Sequence, residues 1–395
     1  MSSVFHLLGL HMHQPPDNLR LLIDSNDWEA RQIMLCYDRP LKYAWQYRDV
    51  AHFCVGFSGI LLEQLQDPRI VSRYSGIVDI PKMLDAYRNT PNIEIVGMGY
   101  YHPVFPLIPV EDWDEQIERG KKKVMEVFGR EPTLFWPSEM AFSREMIPHL
   151  VRNGYRQVVI DHVHVKPIGP ESVEEIAYQT HIAEYGGKSI TVIPRDRDLS
   201  NAQESGLDPG WFENQVRHKI MQPDQPRLVT TWTDGENGGW FRQTDEGSGF
   251  WGYFFAPYME RVRSGQSSIR PIPISDFVRK NPPKDRVDVQ TGAWNVASTS
   301  GFDLSQWAGT PAQKKALDEI WQLSRSYQEI LRSFDPARRR SLEGQLRTAR
   351  ESILKSETSC YLFWGDSWIP KLYEQTGIAH RLLEEIRNKE EAGSN

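Results

Sequence analysis

Four stretches of the 395-residue chain hold the side chains best suited to chemistry. His11 and His13 stand two positions apart in HMHQPP, at the end of an apolar run, so an extended backbone points both to one face. Such a pair can hydrogen-bond a ligand or hold a metal; a buried, hydrogen-bonded pair is the plainer alternative. His102 stands in MGYYHPVFP (98–106), where the following proline favours extended backbone; alone this signal is weak. Glu139 ends LFWPSE (134–139), beside Trp136 and Pro137, which suits a cleft as readily as a surface loop. The fourth stretch is the most specific. In LVTTWTDGENGGWF (228–241) an apolar run meets Asp234 and Glu236, then glycines and Trp240. The glycines let the backbone turn sharply against a ligand, and the acids suit acid, base or ligand roles. A calcium loop competes, but the alternating acids of an EF-hand are missing.

Two carboxylates brought from different strand ends into one cleft rimmed by Trp and His are what glycosidic cleavage requires. One protonates the departing oxygen, and the other attacks or stabilises the cationic sugar. Whether Glu139 and Asp234 meet is decided by folding, not spacing. A metal-dependent carbohydrate esterase or deacetylase, built on His11, His13 and Asp161 or Asp234, is a reading of a different class.

These residues need elements to position them. Val4–Leu10, Ala51–Phe57, Ile93–Met98, Thr133–Trp136, Gln157–Asp161, Ser189–Ile193 and Leu228–Trp232 are short apolar runs bounded by turn or polar residues, as buried strands are. Between them lie helical stretches. In Glu111–Phe128, Trp113, Ile117, Val124 and Phe128 keep a helical period, acids crowd the first turn, and Gly129 with Pro132 ends it. Strands alternating with helices predict a parallel α/β sheet, open and doubly wound or closed. About seven runs over roughly 300 residues lean towards a barrel with long loops. From Thr310–Pro311, an N-cap followed by proline, the apolar spacing turns helical. Asp335–Pro336 repeats the start signal, and a last helix is expected near Ile378–Arg387.

Composition excludes several classes. The net charge of −7 lacks the basic footprint of a nucleic-acid binder, and no apolar run is long enough to span a membrane. The opening MSSVFHLLGLHMHQPP has no basic n-region, and histidines break its apolar run. No signal peptide is read there, and a cytoplasmic location is expected. Three scattered cysteines give neither a disulfide framework nor a zinc motif. Aromatic residues make up 11% of the chain, and many adjoin Gly, Pro, His or Asp instead of apolar runs. That placement leaves some of them for stacking on flat faces such as sugar rings.

Taken in order, the motifs resemble the five sequence regions of glycoside hydrolase family 57: HQP (13–15), Gly99 to Pro103, FWPSE (135–139), TDGENGGW (233–240) and ETSCYLFWGDSW (357–368). PRDRDLSN (194–201) is similar to a stretch of amylopullulanase-like members. The resemblance implies an incomplete (β/α)7 TIM-like barrel over 1–309, then a helical bundle over 310–395 that contributes to the cleft. It implies a retaining enzyme that cleaves α-1,4 bonds, with α-1,6 bonds as a further target, in maltodextrin or glycogen-like α-glucans. No metal or other cofactor is implied. Glu139 falls at the nucleophile and Asp234 at the general acid/base. His13, His102, Trp136 and Trp364 fall where substrate is lined, with His11 as companion and Glu236 orienting its neighbours. Trp240, Trp251 or Trp364 as acceptor subsites would favour a 4-α-glucanotransferase on the same substrates. A catalytically silent sugar-binding relative is a third reading, against which the presence of both acids argues. One departure stands out: Ser359-Cys360 replaces the usual Ser-Asp of the fifth region.

Overall fold

The computed structural model describes residues 4–204, 207–220, 225–238, 246–294 and 303–393. Each apolar run read from the sequence forms a strand. The first five are β1 Val4–Met12, β2 Phe53–Phe57, β3 Ile93–Val96, β4 Leu134–Phe135 and β5 Gln157–Asp161. Two unanticipated strands, β6 Val165–Pro167 and β7 His181–Tyr185, precede β8 Lys188–Arg195 and β9 Arg227–Asp234. Two more short ones follow, β10 Ile269–Pro271 and β11 Val287–Val289.

The anticipated strands pair in parallel. β1 joins β2 and β9, β2 joins β3, β4 joins β5, and β5 joins β8. A parallel bridge between Gly97 and Phe135 connects β3 to β4. Asp196 N donates to Thr230 O (2.8 Å), linking the end of β8 to β9. Parallel neighbours need crossovers, and the helices between them supply these. Every residue of β2 and β5 is buried, which explains why they read as continuous apolar runs and not as alternating ones. Parallel pairing also puts the C-terminal ends of these strands on one side, where the chemistry-bearing stretches begin.

The shorter strands are additions. β10 pairs in parallel with the start of β1, β7 is antiparallel to β8, and β11 is antiparallel to β6. Of the helices, Val110–Phe128 buries Trp113, Ile117, Val124 and Phe128 as the period requires, and ends on Gly129 in the left-handed region (φ 63°). Thr310 and Gln313 form a reciprocal capping box at the start of Pro311–Ser333. The last helix begins earlier than expected, spanning Ile369–Gly393, because Pro370 falls in the first turn, where proline interrupts no hydrogen bond.

Helices Pro311–Ser333, Glu343–Ser356 and Ile369–Gly393 share an apolar cluster that includes Leu323, Ile330, Leu346, Ile353 and Leu383. They are not a separate body. A second cluster joins Ala316, Ile320, Leu362 and Leu372 to Val96, Leu134, Trp136 and Trp232. The helical part thus packs against the residues that lead into the site.

Candidate active site

β1 and β9 run side by side with His11 opposite Asp234. His11 Nδ1 lies 3.2 Å from Thr233 O, and its Nε2 lies 3.7 Å from Asp234 Oδ1. A carbonyl only accepts, so Nδ1 carries the proton. Burial first, then the charge of His102, holds the His11 imidazole well below its usual pKa, so the ring is neutral and Nε2 is bare. A bare nitrogen facing an ionised carboxylate would set two acceptors against each other, which favours a protonated Asp234. Its own surroundings agree. Burial, then the charge and hydrogen bond of Glu236, with smaller contributions from Glu204 and Glu139, hold its carboxyl well above the ordinary range. Yet 31% of the Asp234 side-chain surface is open, the access a substrate oxygen needs.

Glu236 is fixed from the other side. It is 2% exposed, and its Oε1 accepts from Tyr37 Oη (2.7 Å), His13 N (3.4 Å) and Gln14 Nε2 (3.5 Å).

Glu139 follows β4 in a turn whose backbone is under strain. Its φ is 59° and that of Met140 is 50°, both left-handed, a region that costs a side-chain-bearing residue roughly 1–3 kcal/mol. The distortion aims the carboxylate at two donors. Trp294 Nε1 gives to Oε2 (2.9 Å) and Ser359 Oγ to Oε1 (2.8 Å), with His102 Nδ1 3.8 Å from Oε1. Burial raises the Glu139 carboxyl to about 6, and the two hydrogen bonds hold it from rising further. The Glu139 carboxyl, at about 6, gives up its proton towards neutral pH, while the surroundings of Asp234 favour its protonated form. That contrast is the division a nucleophile and a general acid need.

An aromatic stack spans the two acids. His11 lies on Trp136 at 3.9 Å between ring centres, and His13 lies on His102 at 4.0 Å. His11 and His102 are themselves stacked at 6.0 Å. His11 thus approaches Asp234 while His102 approaches Glu139, and burial, then the charge of Glu139, push up the Cys360 thiol. His13 Nε2, His102 Nε2 and Trp136 Nε1 are buried polar atoms without a hydrogen-bond partner among the described residues.

The structure therefore brings His11, His13, His102, Trp136, Glu139, Asp234 and Glu236 together. Trp364 is 50% exposed and packs edge-on against Phe363, just past the short helix Ser359–Phe363. Trp240 lies outside the described residues. Trp251 is a correction: it is 1% exposed, packed against Tyr43, Phe53 and Phe255, and a ring so enclosed cannot receive a sugar. The metal-centred alternative needs His11, His13 and an acid to converge. Among the described residues no group of three His, Cys, Asp or Glu does so, and Asp161 is engaged with Arg195 (3.0 Å).

Several contributors were not singled out from sequence: Ser359 as a ligand of Glu139, Trp294, Tyr37 and Arg195. Buried Arg195 lies 5.5 Å over the Trp294 ring and gives Nε to Trp232 O (2.9 Å). Two of them lay in motifs visible in the sequence, Arg195 in PRDRDLSN at the end of β8 and Ser359 in ETSCYLFWGDSW, though nothing there assigned either to Glu139 or Trp294.

Comparison with known proteins identifies the family and the fold. The family model described as glycosyl hydrolase family 57 matches residues 25–290. Alpha-amylase 1 of Dictyoglomus thermophilum is 22% identical over 325 residues, covering 80% of this chain and 42% of its own. A 4-alpha-glucanotransferase of Thermococcus kodakarensis is 25% identical over 329 residues, covering 81% and 45%. The chain thus spans less than half the length of these curated relatives. Among solved structures, the alpha-amylase AmyC from Thermotoga maritima superposes with a TM-score of 0.71 at 14% identity, covering 100% of this chain and 94% of its own. The 4-alpha-glucanotransferase from Thermococcus litoralis does so with a TM-score of 0.67 at 21% identity, covering 96% and 60%. At those identities the likeness is one of fold. The family match extends over well more than half of the sequence, and the chain belongs to glycosyl hydrolase family 57.

Proposed function

We propose that this chain is a retaining glycoside hydrolase that cleaves α-1,4-glucosidic bonds, with α-1,6 bonds as a further target, in maltodextrin or glycogen-like chains. Its frame is an incomplete (β/α)7 TIM-like barrel over residues 1–309, followed by a helical bundle over 310–395 that contributes to the cleft. The observation that carries the reading is two acids from different strand ends at the two ends of one aromatic stack, Asp234 3.7 Å from His11 and Glu139 3.8 Å from His102.

Ionised Glu139 attacks the anomeric carbon while Asp234 gives its proton to the departing glycosidic oxygen. The bond to that oxygen breaks, and a covalent β-glycosyl ester on Glu139 forms. Asp234, now a carboxylate, takes the proton of an incoming hydroxyl, whose oxygen displaces Glu139 and restores the α-configuration. A retaining pair works at about 5–5.5 Å between carboxyl groups. Partly open His13 and half-exposed Trp364 offer faces against which a sugar ring is oriented, while His11, His102 and Trp136 are buried in the stack behind them and back the two acids.

If an acceptor sugar outcompetes water in the second step, the same machinery is a 4-α-glucanotransferase, an activity named for two of the relatives and neighbours. Incubation with maltopentaose separates the two: longer oligosaccharides report transfer, and a net gain of reducing ends reports hydrolysis. Glu139→Gln is expected to lose turnover by about 10⁴-fold or more. Near-normal turnover by that variant on maltooligosaccharides refutes the assignment.

A further inference from the structure

We propose that Ser359 is a positioning residue for the nucleophile, holding Glu139 in its ionised, correctly aimed state through a His102–Ser359–Glu139 hydrogen-bond chain. The inference rests on the reading of Glu139 as nucleophile. It assigns a role in the reaction to a side chain that the helical part of the molecule contributes.

Counting protons fixes the direction of the chain. Ser359 Oγ lies 2.8 Å from Glu139 Oε1 and 2.8 Å from His102 Nδ1. A hydroxyl has one hydrogen to give, and an ionised carboxylate only accepts. Ser359 therefore donates to Glu139 and receives the proton of His102 Nδ1. This fixes the His102 tautomer and leaves Nε2 as a bare acceptor, the buried atom without a partner among the described residues. Burial brings the His102 pKa down to about 3, so the ring stays neutral and does not pair as a cation with Glu139 at 3.8 Å. The serine hydroxyl carries the polarity of the histidine to the carboxylate without bringing a charge.

Ser359 is well held for this task. It is fully buried, its N donates to His102 O (3.0 Å), and Thr358 bridges Pro103 in antiparallel fashion. His102 is itself in the left-handed region (φ 59°). A strained loop after β3 and the segment after helix Glu343–Ser356 thus clamp each other, and the clamp ends on the nucleophile. The other groups facing Glu139 leave this role to Ser359. Trp294 reaches the opposite oxygen, with Arg195 beyond its ring. The charge of Glu139 acts on Asp234 and on the Cys360 thiol, favouring the neutral form of each.

The test is the pH dependence of kcat/KM for Ser359→Ala. Loss of one donor to an ionised carboxylate is expected to move the acid limb up by about one to two pH units. At about pH 6 this is a loss of roughly five- to fifty-fold, which narrows towards wild type as pH rises. Ser359→Thr, which keeps the hydroxyl, is expected to restore the limb. A carboxyl ¹³C titration of Glu139, assigned by its absence in Glu139→Gln, reads the same shift without relying on turnover. Equal loss at every pH with an unchanged Glu139 titration overturns the proposal and leaves Ser359 a packing residue. Continued turnover by Glu139→Gln refutes the nucleophile assignment instead, whatever Ser359→Ala does.

Discussion

Replacing Glu357 with glutamine tests how the helical part is fastened beside Glu139. Glu357 and Asp112 are both fully buried. Asp112 Oδ1 accepts from Ser324 Oγ (2.9 Å) and Arg350 Nη1 (2.6 Å), and Glu357 Oε2 accepts from Gln116 Nε2 (2.6 Å). Asp112 Oδ2 and Glu357 Oε1 have no donor among the described residues, which is resolved if Glu357 keeps its proton and gives it to Asp112. Burial first, then the charge of Asp112 and a hydrogen bond to it, hold the Glu357 carboxyl well above the usual range; Arg350 opposes the shift, but its Nε also serves Glu115 (2.7 Å). An acid whose pKa is raised by folding binds its proton more tightly in the native state. Below the unfolded value, near 4.5, this penalises nothing. As pH climbs past that value the unfolded chain releases its proton first, and stability falls by about 1.4 kcal/mol per pH unit until the native group ionises as well. Over two pH units the loss is about 2.7 kcal/mol. Glutamine keeps an N–H for Asp112 Oδ2 and has no proton to lose. Urea denaturation from about pH 5 to about pH 7 is therefore expected to show Glu357→Gln gaining on wild type as pH rises, by up to that slope. A stability difference that stays constant across the range refutes the shared proton.

Two further outcomes follow from the charges around the site. Glu236→Gln keeps an acceptor oxygen for Tyr37 but removes the charge that helps hold up the Asp234 proton; the alkaline limb of kcat/KM is expected to move to lower pH, and an unmoved limb would exclude this role. Cys360→Asp places a carboxylate within the fields of Glu139, Asp234 and Glu236. The acid limb is expected to move up, each unit lowering kcat/KM about ten-fold on the acid side, and a limb at the wild-type position would show that the introduced charge is screened.

The strands that frame the site were legible because burial on both faces leaves continuous apolar runs, as in FCVGF and QVVID. Strand β7 was missed although its signal was present. HIAEY and KSITVIPR flank Gly186–Gly187, whose φ values of 57° and 71° make the two-residue hairpin turn. Its outer residues are exposed, so no apolar run marked it. Helix Asp27–Gln46 was missed for a different reason. Pro40 inside it reads as a breaker, and its apolar face carries tyrosines and Cys36 among charges, while tertiary packing supplies the burial that propensity lacked.

The acids themselves were legible because carboxylates beside Trp and Gly at strand ends are uncommon chemistry, but what sets their charge was not. Glu139 is controlled by Trp294 and Ser359, and Asp234 by Glu236, itself anchored on Tyr37. Apart from Glu236, these partners come from distant segments whose local sequence carries only a hydroxyl or an indole, with nothing to say what they face. A motif names the group that reacts. The protonation state in which it reacts is set by burial and by donors brought in through tertiary packing, and those become visible only when the chain is folded.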